Sequence, residues 1–375
     1  MALDTWQKLD ILSADSQYDL ACACGTGKED RRHRGLDGKW LYPVPLTRGG
    51  YGIMLKTLLS NACSNDCKYC PLRSDTNVRR CTLTPDETAR IFMDYQKRLG
   101  LIGIFLSSGV IGTPELTMDR LNATAEILRT RYHYRGYIHL KVIPGSSQAA
   151  IDEAMRLASA VSLNIEAPGE RHFQKLSDCK NYERDIIAPL KFMSEQTAKG
   201  QKHAKVKCTT QFIVGASDEN DSEIVRYMDG IYNRLKFERI YFSAYQPGLG
   251  KPDIPGEQRF DLQPEARFTR EHRLYQADFL MRQYGFAAGE LVFDRGGNFS
   301  LDKDPKEIWA ECHPEFFPVY INRADKEALL RVPGLGPVSV KRIIQVRKYN
   351  RIRELSALGI KGKLAEKAGR YLAFS

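Results

Sequence analysis

Between about Tyr51 and Phe293 the chain alternates short apolar runs with amphipathic stretches whose hydrophobic residues recur every three or four positions. The runs at 52–59, 101–107, 137–143, 161–165, 205–214 and 239–244 predict strands. Helices are expected between them, near 119–132, 148–158, 183–198, 221–235 and 264–284. The first helix announces its start: Thr84 as N-cap, Pro85 at N1 and Glu87 at N3, followed by Ile91, Tyr95 and Leu99 on one face. Strand followed by helix, six times over, is the sign of parallel βαβ units. The expected fold is α/β, a partial TIM-like (β/α)6 barrel with its chemistry at the C-terminal strand ends.

Both flanks break this rhythm. Residues 1–50 read as an extension, with a helix near 6–12 and a Gly/Arg-rich loop at 25–38. Beyond the barrel of 51–293, residues 294–319 read as a linker rich in Asp, Gly and Pro, which takes in Cys312 and His313. Residues 320–375 then form a small all-α domain. There Leu329 and Leu330 precede Pro333-Gly-Leu-Gly336, and Val340, Ile343, Ile344 and Val346 mark the apolar side of a second helix.

Charge sharpens that last division. The 375 residues carry a net charge of +10. The final 56 hold thirteen Lys and Arg against four Asp and Glu, so nearly all the excess lies there. Such density suits a polyanionic partner, the alternative being a solvated face kept charged for solubility. The start is polar, with no signal-peptide pattern, and no apolar run approaches a membrane span. Nine cysteines, an odd number, argue for a reducing compartment, and a cytoplasmic location is expected.

The cysteines also carry the most specific chemistry. Cys63, Cys67 and Cys70 stand in Asn61-Ala-Cys-Ser-Asn-Asp-Cys-Lys-Tyr-Cys-Pro71, directly after the first strand. Three thiolates on one loop can hold three irons of a cubane and leave the fourth open for chemistry. The alternative is a zinc knot, which usually pairs Cys-x2-Cys with a second Cys or His pair. Cys81 is the nearest extra thiol and has no companion at that spacing. Cys22 and Cys24, with His33, form a weaker group and read as unligated thiols.

The spacing Cys-x3-Cys-x2-Cys, with Tyr69 before the last cysteine, resembles the signature loop of the radical SAM enzymes. That resemblance implies a 4Fe-4S cluster on Cys63, Cys67 and Cys70. It also implies S-adenosylmethionine (SAM) on the open iron and its reductive cleavage to a 5′-deoxyadenosyl radical. Further positions follow from it. Ser107, Ser108 and Gly109 occupy the turn that meets the SAM amino group, although the family's acidic residue is missing. Asn164 and Glu166 share one face of the fourth strand and suit ribose hydroxyls or the methionyl ammonium, with a strand-end salt bridge as the alternative. Gly215 lies in a Gly-x-Ile-x-Gly-x-x-Glu-like stretch whose first glycine is replaced by Gln211, and Ser243 or Tyr245 would pass the adenine edge. His139 and Lys141 share a face of the third strand as candidates for substrate contact or proton donation, a structural role being the alternative.

The tail closely resembles a helix-hairpin-helix. In that motif Gly334 and Gly336 let the hairpin present backbone N–H groups to a phosphate, and Lys341, Arg342, Arg347 and Lys348 neutralise its neighbours. A weaker echo runs through Gly359 and Gly362, and protein contact is the alternative use. Taken together with Phe-Leu-Ser-Ser-Gly-Val at 105–110 and Tyr-Ile-His-Leu-Lys-Val-Ile-Pro-Gly at 137–145, these motifs are similar to the DNA modification/repair radical SAM proteins. The resemblance covers most of the chain from about Lys8. It implies a reaction on DNA in which a base leaves the stack. It also implies an electron donor such as flavodoxin or ferredoxin, and a uracil-DNA-glycosylase-like partner. An RNA-modifying enzyme, a redox-sensing DNA-binding protein without catalysis, and a scaffold recruiting a glycosylase are the alternatives.

Overall fold

The computed structural model describes residues 3–19, 41–46, 49–258 and 263–375. Cys22, Cys24 and His33, with the 25–38 loop, lie outside the described residues. The elements in order are α1 (Thr5–Asp15), β1 (Leu41–Pro45), β2 (Tyr51–Leu58), α2 (Pro85–Leu99), β3 (Gly103–Ser107), α3 (Pro114–Thr130), β4 (Tyr137–Lys141), α4 (Gln148–Leu157) and β5 (Ala160–Ser162). There follow α5 (Glu170–Phe173), α6 (Ala188–Thr197), β6 (Lys207–Val214), α7 (Asp221–Asn233), β7 (Arg239–Ala244), α8 (Pro255–Gln258) and α9 (Pro264–Tyr284). The rest are α10 (Pro305–Cys312), β8 (Val319–Tyr320), α11 (Lys326–Arg331), α12 (Pro337–Val346), α13 (Gly362–Gly369) and β9 (Leu372–Ala373). Among the described residues no helix is long and apolar enough to cross a membrane.

Contacts divide the chain into two units: Met1–Glu219 with Gly230–Glu271, and Asn220–Asp229 with His272–Ser375. In the first, the seven strands lie side by side in chain order and curl as a partial barrel. The five pairings from β2 to β7, expected from the βαβ rhythm, are all parallel. The extension adds something the pattern did not announce, since β1 pairs antiparallel with β2. Alternation sets Lys56, Phe105 and His139 in register on one side of the sheet, and Leu55, Ile104 and Ile138 on the other. The latter three are fully buried.

Element ends depart from the sequence reading for identifiable reasons. The α2 capping box forms as expected. Helix α3 begins five residues before Asp119 because Thr113 caps it and Pro114 takes N1. Residues 182–187 make a π turn under the Asn181 cap before α6 begins. Strand β5 stops at Ser162, short of the expected 165. There the Thr210 hydroxyl accepts from Ile165 N at 3.0 Å, and Glu166 takes φ +64°. A single bridge, Glu166 to Phe212, resumes the pairing.

The second unit has its own core, in which Ile321, Leu329, Leu330, Val332, Val340, Ile343, Ile352 and Leu358 are buried together. Of the predicted apolar residues, Leu329, Leu330, Val340 and Ile343 are among them, while Ile344 and Val346 pack against the cluster partly buried. The segment 294–319, read as linker, contains α10, whose Trp309 is buried and stacks on His313 at 4.5 Å. Asp325 caps α11. In the following turn Gly334 has φ +85°, and a Cβ there would stand 2.7 Å from Leu364 O. Gly336 serves as N-cap of α12 with no side-chain cap bond. Buried Lys306 sits under this turn, donating to Leu335 O at 2.6 Å and lying 4.6 Å from the centre of the Tyr284 ring.

Candidate cluster and cofactor site

The cysteine loop leaves β2 and is held from several sides. Asn61, two residues before Cys63, donates to Asp15 Oδ2 at 2.6 Å and accepts from Cys81 N at 2.7 Å. Arg80 donates to Asn61 O, to Leu72 O at 2.8 Å and to Arg73 O at 2.7 Å, clamping both ends of the loop. Between the first two cysteines, Asp66 accepts from Ser177 Oγ (2.6 Å), Asp178 N (2.7 Å), Cys179 N (3.1 Å) and Cys179 Sγ (2.9 Å). Burial alone would raise this carboxyl, but those donors hold it down at about 2.

Cys63, Cys67 and Cys70 come within electrostatic reach of one another. Burial pushes the Cys70 thiol up to about 12, and its two neighbours add to the shift. Cys67 is raised chiefly by burial, opposed by Lys180, whose Nζ lies 3.0 Å from its Sγ. Val110 N points at Cys63 Sγ at 3.4 Å, and Leu72 N at Cys70 Sγ at 3.4 Å, as donors to thiolate sulfur do. Gly109 lies so close that a Cβ would stand 2.5 Å from Ala62 O and 3.2 Å from Cys63 Cβ. The turn of Ser107, Ser108 and Gly109 is therefore fitted against the cysteine loop, with Gly109 N donating to Ser60 O at 2.7 Å and Ser108 Oγ to Gly109 O. Among the described residues no three His, Cys, Asp or Glu side chains converge as ligands of one ion do. A cubane takes each thiolate on a separate iron, and three neighbouring thiols with inward-pointing amides suit that group.

Two sides of the loop differ in charge. Around Cys67 stand Lys180, Glu166 and Lys141, with Asn164 Nδ2 3.4 Å from Glu166 Oε2 and the Tyr69 hydroxyl also bonded to Glu166. Burial raises Glu166, against the pull of both lysines. Burial would lower Lys180, but Cys67 and Glu166 outweigh it and hold its pKa above the ordinary value. Beside Cys70 lies a cavity of about 140 Å³ walled by Tyr69, Ile213, Ser243 and Tyr245, with no charged side chain among its described lining residues. Gly215, at φ +87°, donates from its N to Glu219 Oε1 at 2.6 Å at the end of the same strand.

Residues 57–231 match the sequence profile of the radical SAM superfamily. This stretch belongs to that superfamily. Its cofactors are a 4Fe-4S cluster and SAM. No curated protein matches the chain. Among solved structures it is similar to methylornithine synthase PylB, at 16% identity and TM-score 0.46 over 60% of this chain and 62% of that one. It is also similar to the FeFe-hydrogenase maturase HydG from Carboxydothermus hydrogenoformans, at 14% identity and TM-score 0.45 over 61% and 51%. The chain thus spans less than two thirds of the length of either of these proteins. A second HydG structure gives 11% identity and TM-score 0.45 over 84% and 80%.

Other predicted residues lie elsewhere or are already engaged. His139 is buried, with Nε2 2.9 Å from Ser162 Oγ and its ring 4.5 Å from Phe105. In the second unit Arg342 donates to Leu358 O at 2.5 Å, and Arg347 to Ile321 O (3.1 Å) and Ala324 O (2.6 Å). Those two arginines tie the small domain together, whereas Lys341 and Lys348 are exposed. Sequence reasoning missed Lys180, which no periodicity marks. It also missed Gln17 and Tyr18, which line the cavity beside Cys70 from outside the barrel pattern.

Proposed function

We propose that this protein is a radical SAM enzyme that acts on DNA to modify it or repair a lesion. Cys63, Cys67 and Cys70 hold the cluster. The half-buried charges of Lys180 and Lys141 and the buried Glu166, with Asn164, receive the zwitterionic methionyl end of SAM. The neutral cavity at Tyr69, Ile213 and Ser243 receives the purine. When bound, cluster and SAM together supply a 5′-deoxyadenosyl radical that abstracts hydrogen. A low-potential donor, flavodoxin or ferredoxin, and a uracil-DNA-glycosylase-like partner complete the reading.

One observation carries the choice of DNA: nearly all the net positive charge falls in the last 56 residues, which bear the Gly334–Gly336 turn. Support comes from the left-handed Gly334, from an α12 start left uncapped by side chains, and from exposed Lys341 and Lys348 nearby. That combination grips phosphate without reading bases. The test is anaerobic reconstitution, then reduction with SAM in the presence of duplex DNA, single-stranded DNA or RNA, with 5′-deoxyadenosine measured by mass spectrometry. DNA is expected to stimulate release above the nucleic-acid-free rate. Stimulation by RNA alone selects the RNA-modifying reading, and the absence of any 5′-deoxyadenosine selects the redox sensor.

A further inference from the structure

We infer that Tyr18, contributed by the segment ahead of the barrel, is a positioning residue for the purine ring of SAM. The inference rests on the cofactor reading above and adds to it a residue outside the matched stretch, which begins at 57.

The segment is anchored, not draped. Leu9 and Leu12 of α1 are fully buried in one cluster with Leu58, Leu72, Leu83 and Ile91, the residues that frame the cysteine loop. Thr5 and Lys8 bond Glu87 at 2.9 and 3.1 Å, and Asp15 bonds Asn61. A 3-10 turn, Ser16–Asp19, then follows, with Ser16 fully buried and its hydroxyl on Ser13 O at 2.7 Å. That turn delivers Tyr18 to the cavity beside Cys70. The cavity's chemistry is that of a flat neutral heterocycle: aliphatic Ile213 and Leu249, polar Ser243 and Gln246, and no charge among its described lining residues. Its other two tyrosines have hydroxyls committed elsewhere, Tyr69 to Glu166 and Tyr245 to Glu257. Tyr18 is 39% exposed, so its ring has a face to offer. An aromatic face on a purine is the kind of contact that binds nucleobases without reading their edges.

The test uses the full chain with its cluster reconstituted. Equilibrium dialysis measures SAM, 5′-deoxyadenosine and methionine on wild type, Tyr18→Ala, Tyr18→Leu and Tyr18→Phe, with iron and sulfide content recorded for each. Tyr18→Ala should weaken SAM and 5′-deoxyadenosine by about tenfold and leave methionine unchanged, since stacking concerns only the base. Tyr18→Phe should bind like wild type. Tyr18→Leu keeps apolar bulk in case alanine unsettles the turn, and should also lose nucleoside affinity. Wild-type affinity in the leucine variant, or equal losses for methionine and nucleoside, overturns the inference and leaves the cofactor reading standing. A wild-type protein that carries its cluster yet binds no SAM overturns both.

Discussion

The mouth of the barrel and the small C-terminal unit use charge in opposite ways. Around Cys67 a few groups are buried together, and each shifts its neighbours: Lys180 opposes the burial of Cys67 and Glu166, and both in turn keep Lys180 charged. Low dielectric makes each of those residues matter singly. In the small unit many cations lie in water, each weakly coupled, and the specific element is the backbone of a glycine turn. A buried site should therefore fail on one substitution, and an exposed one should erode step by step.

The sharpest way to break that contrast is Cys67→Ala. Iron and sulfide per chain after anaerobic reconstitution should fall to background, with loss of the EPR signal that SAM perturbs. A full cluster in this variant would end the account of the site.

The second largest effect is expected at the one backbone-critical point of the other unit. Gly334→Val puts a β-branched residue at φ +85° with its Cβ 2.7 Å from Leu364 O. The backbone cost alone is about 1–3 kcal/mol, and the contact adds to it. Urea unfolding should show the loss, and duplex DNA binding should fall at least tenfold.

A smaller, pH-dependent effect sits beneath that turn. Burial lowers Lys306 from its ordinary 10.5 to about 7, against the pull of Asp304 and with help from Arg331. Between those two values the unfolded chain holds a proton that the folded chain has released, so stability rises with pH across the window. Below pH 7 the full cost of the buried cation is present. The slope is roughly 1 kcal/mol per pH unit. Lys306→Met should flatten it, as read from unfolding midpoints at pH 7 and pH 9, and a variant with unchanged pH dependence would refute the assignment.

The mildest changes belong to the exposed cations. Lys341→Ala and Lys348→Ala should each weaken DNA binding a few-fold, reduce the slope of log affinity against log salt by about one, and leave stability alone. A hundredfold loss from either would mean that the exposed surface behaves like the buried one.

Much of this was legible in one dimension, and the gaps have local causes. The strands at 52–59, 137–143 and 239–244 match β2, β4 and β7 to within a few residues, because both faces of a parallel strand are buried and write a continuous apolar run. The cysteine loop was legible because its ligands share one short segment. Strand β5 was over-extended because Thr210 replaces a ladder bond by a side-chain bond, which no propensity announces. Arg342 and Arg347 looked like phosphate contacts because an arginine's partners cannot be seen along the chain, and both are turned onto carbonyls of their own unit. The antiparallel β1 and the helix α10 lay in stretches whose Gly, Pro and charged residues masked short elements held by tertiary contacts.

What the order of residues determined by itself was periodicity, local spacing and charge: six strand–helix repeats, three thiols on a loop, and a basic end with a glycine turn. Those features are set by neighbours within a few positions, so they survive without the fold. Only the tertiary structure decided that Lys180 meets Cys67, that Glu166 is buried in a left-handed backbone between two lysines, and that Tyr18 reaches the wall beside Cys70. The first and last of these pairings join residues 113 and 52 positions apart, and even the Glu166 pairings lie well beyond one helical turn. They exist because burying the apolar faces of the barrel forces these side chains together, and no local rule encodes which ones will meet.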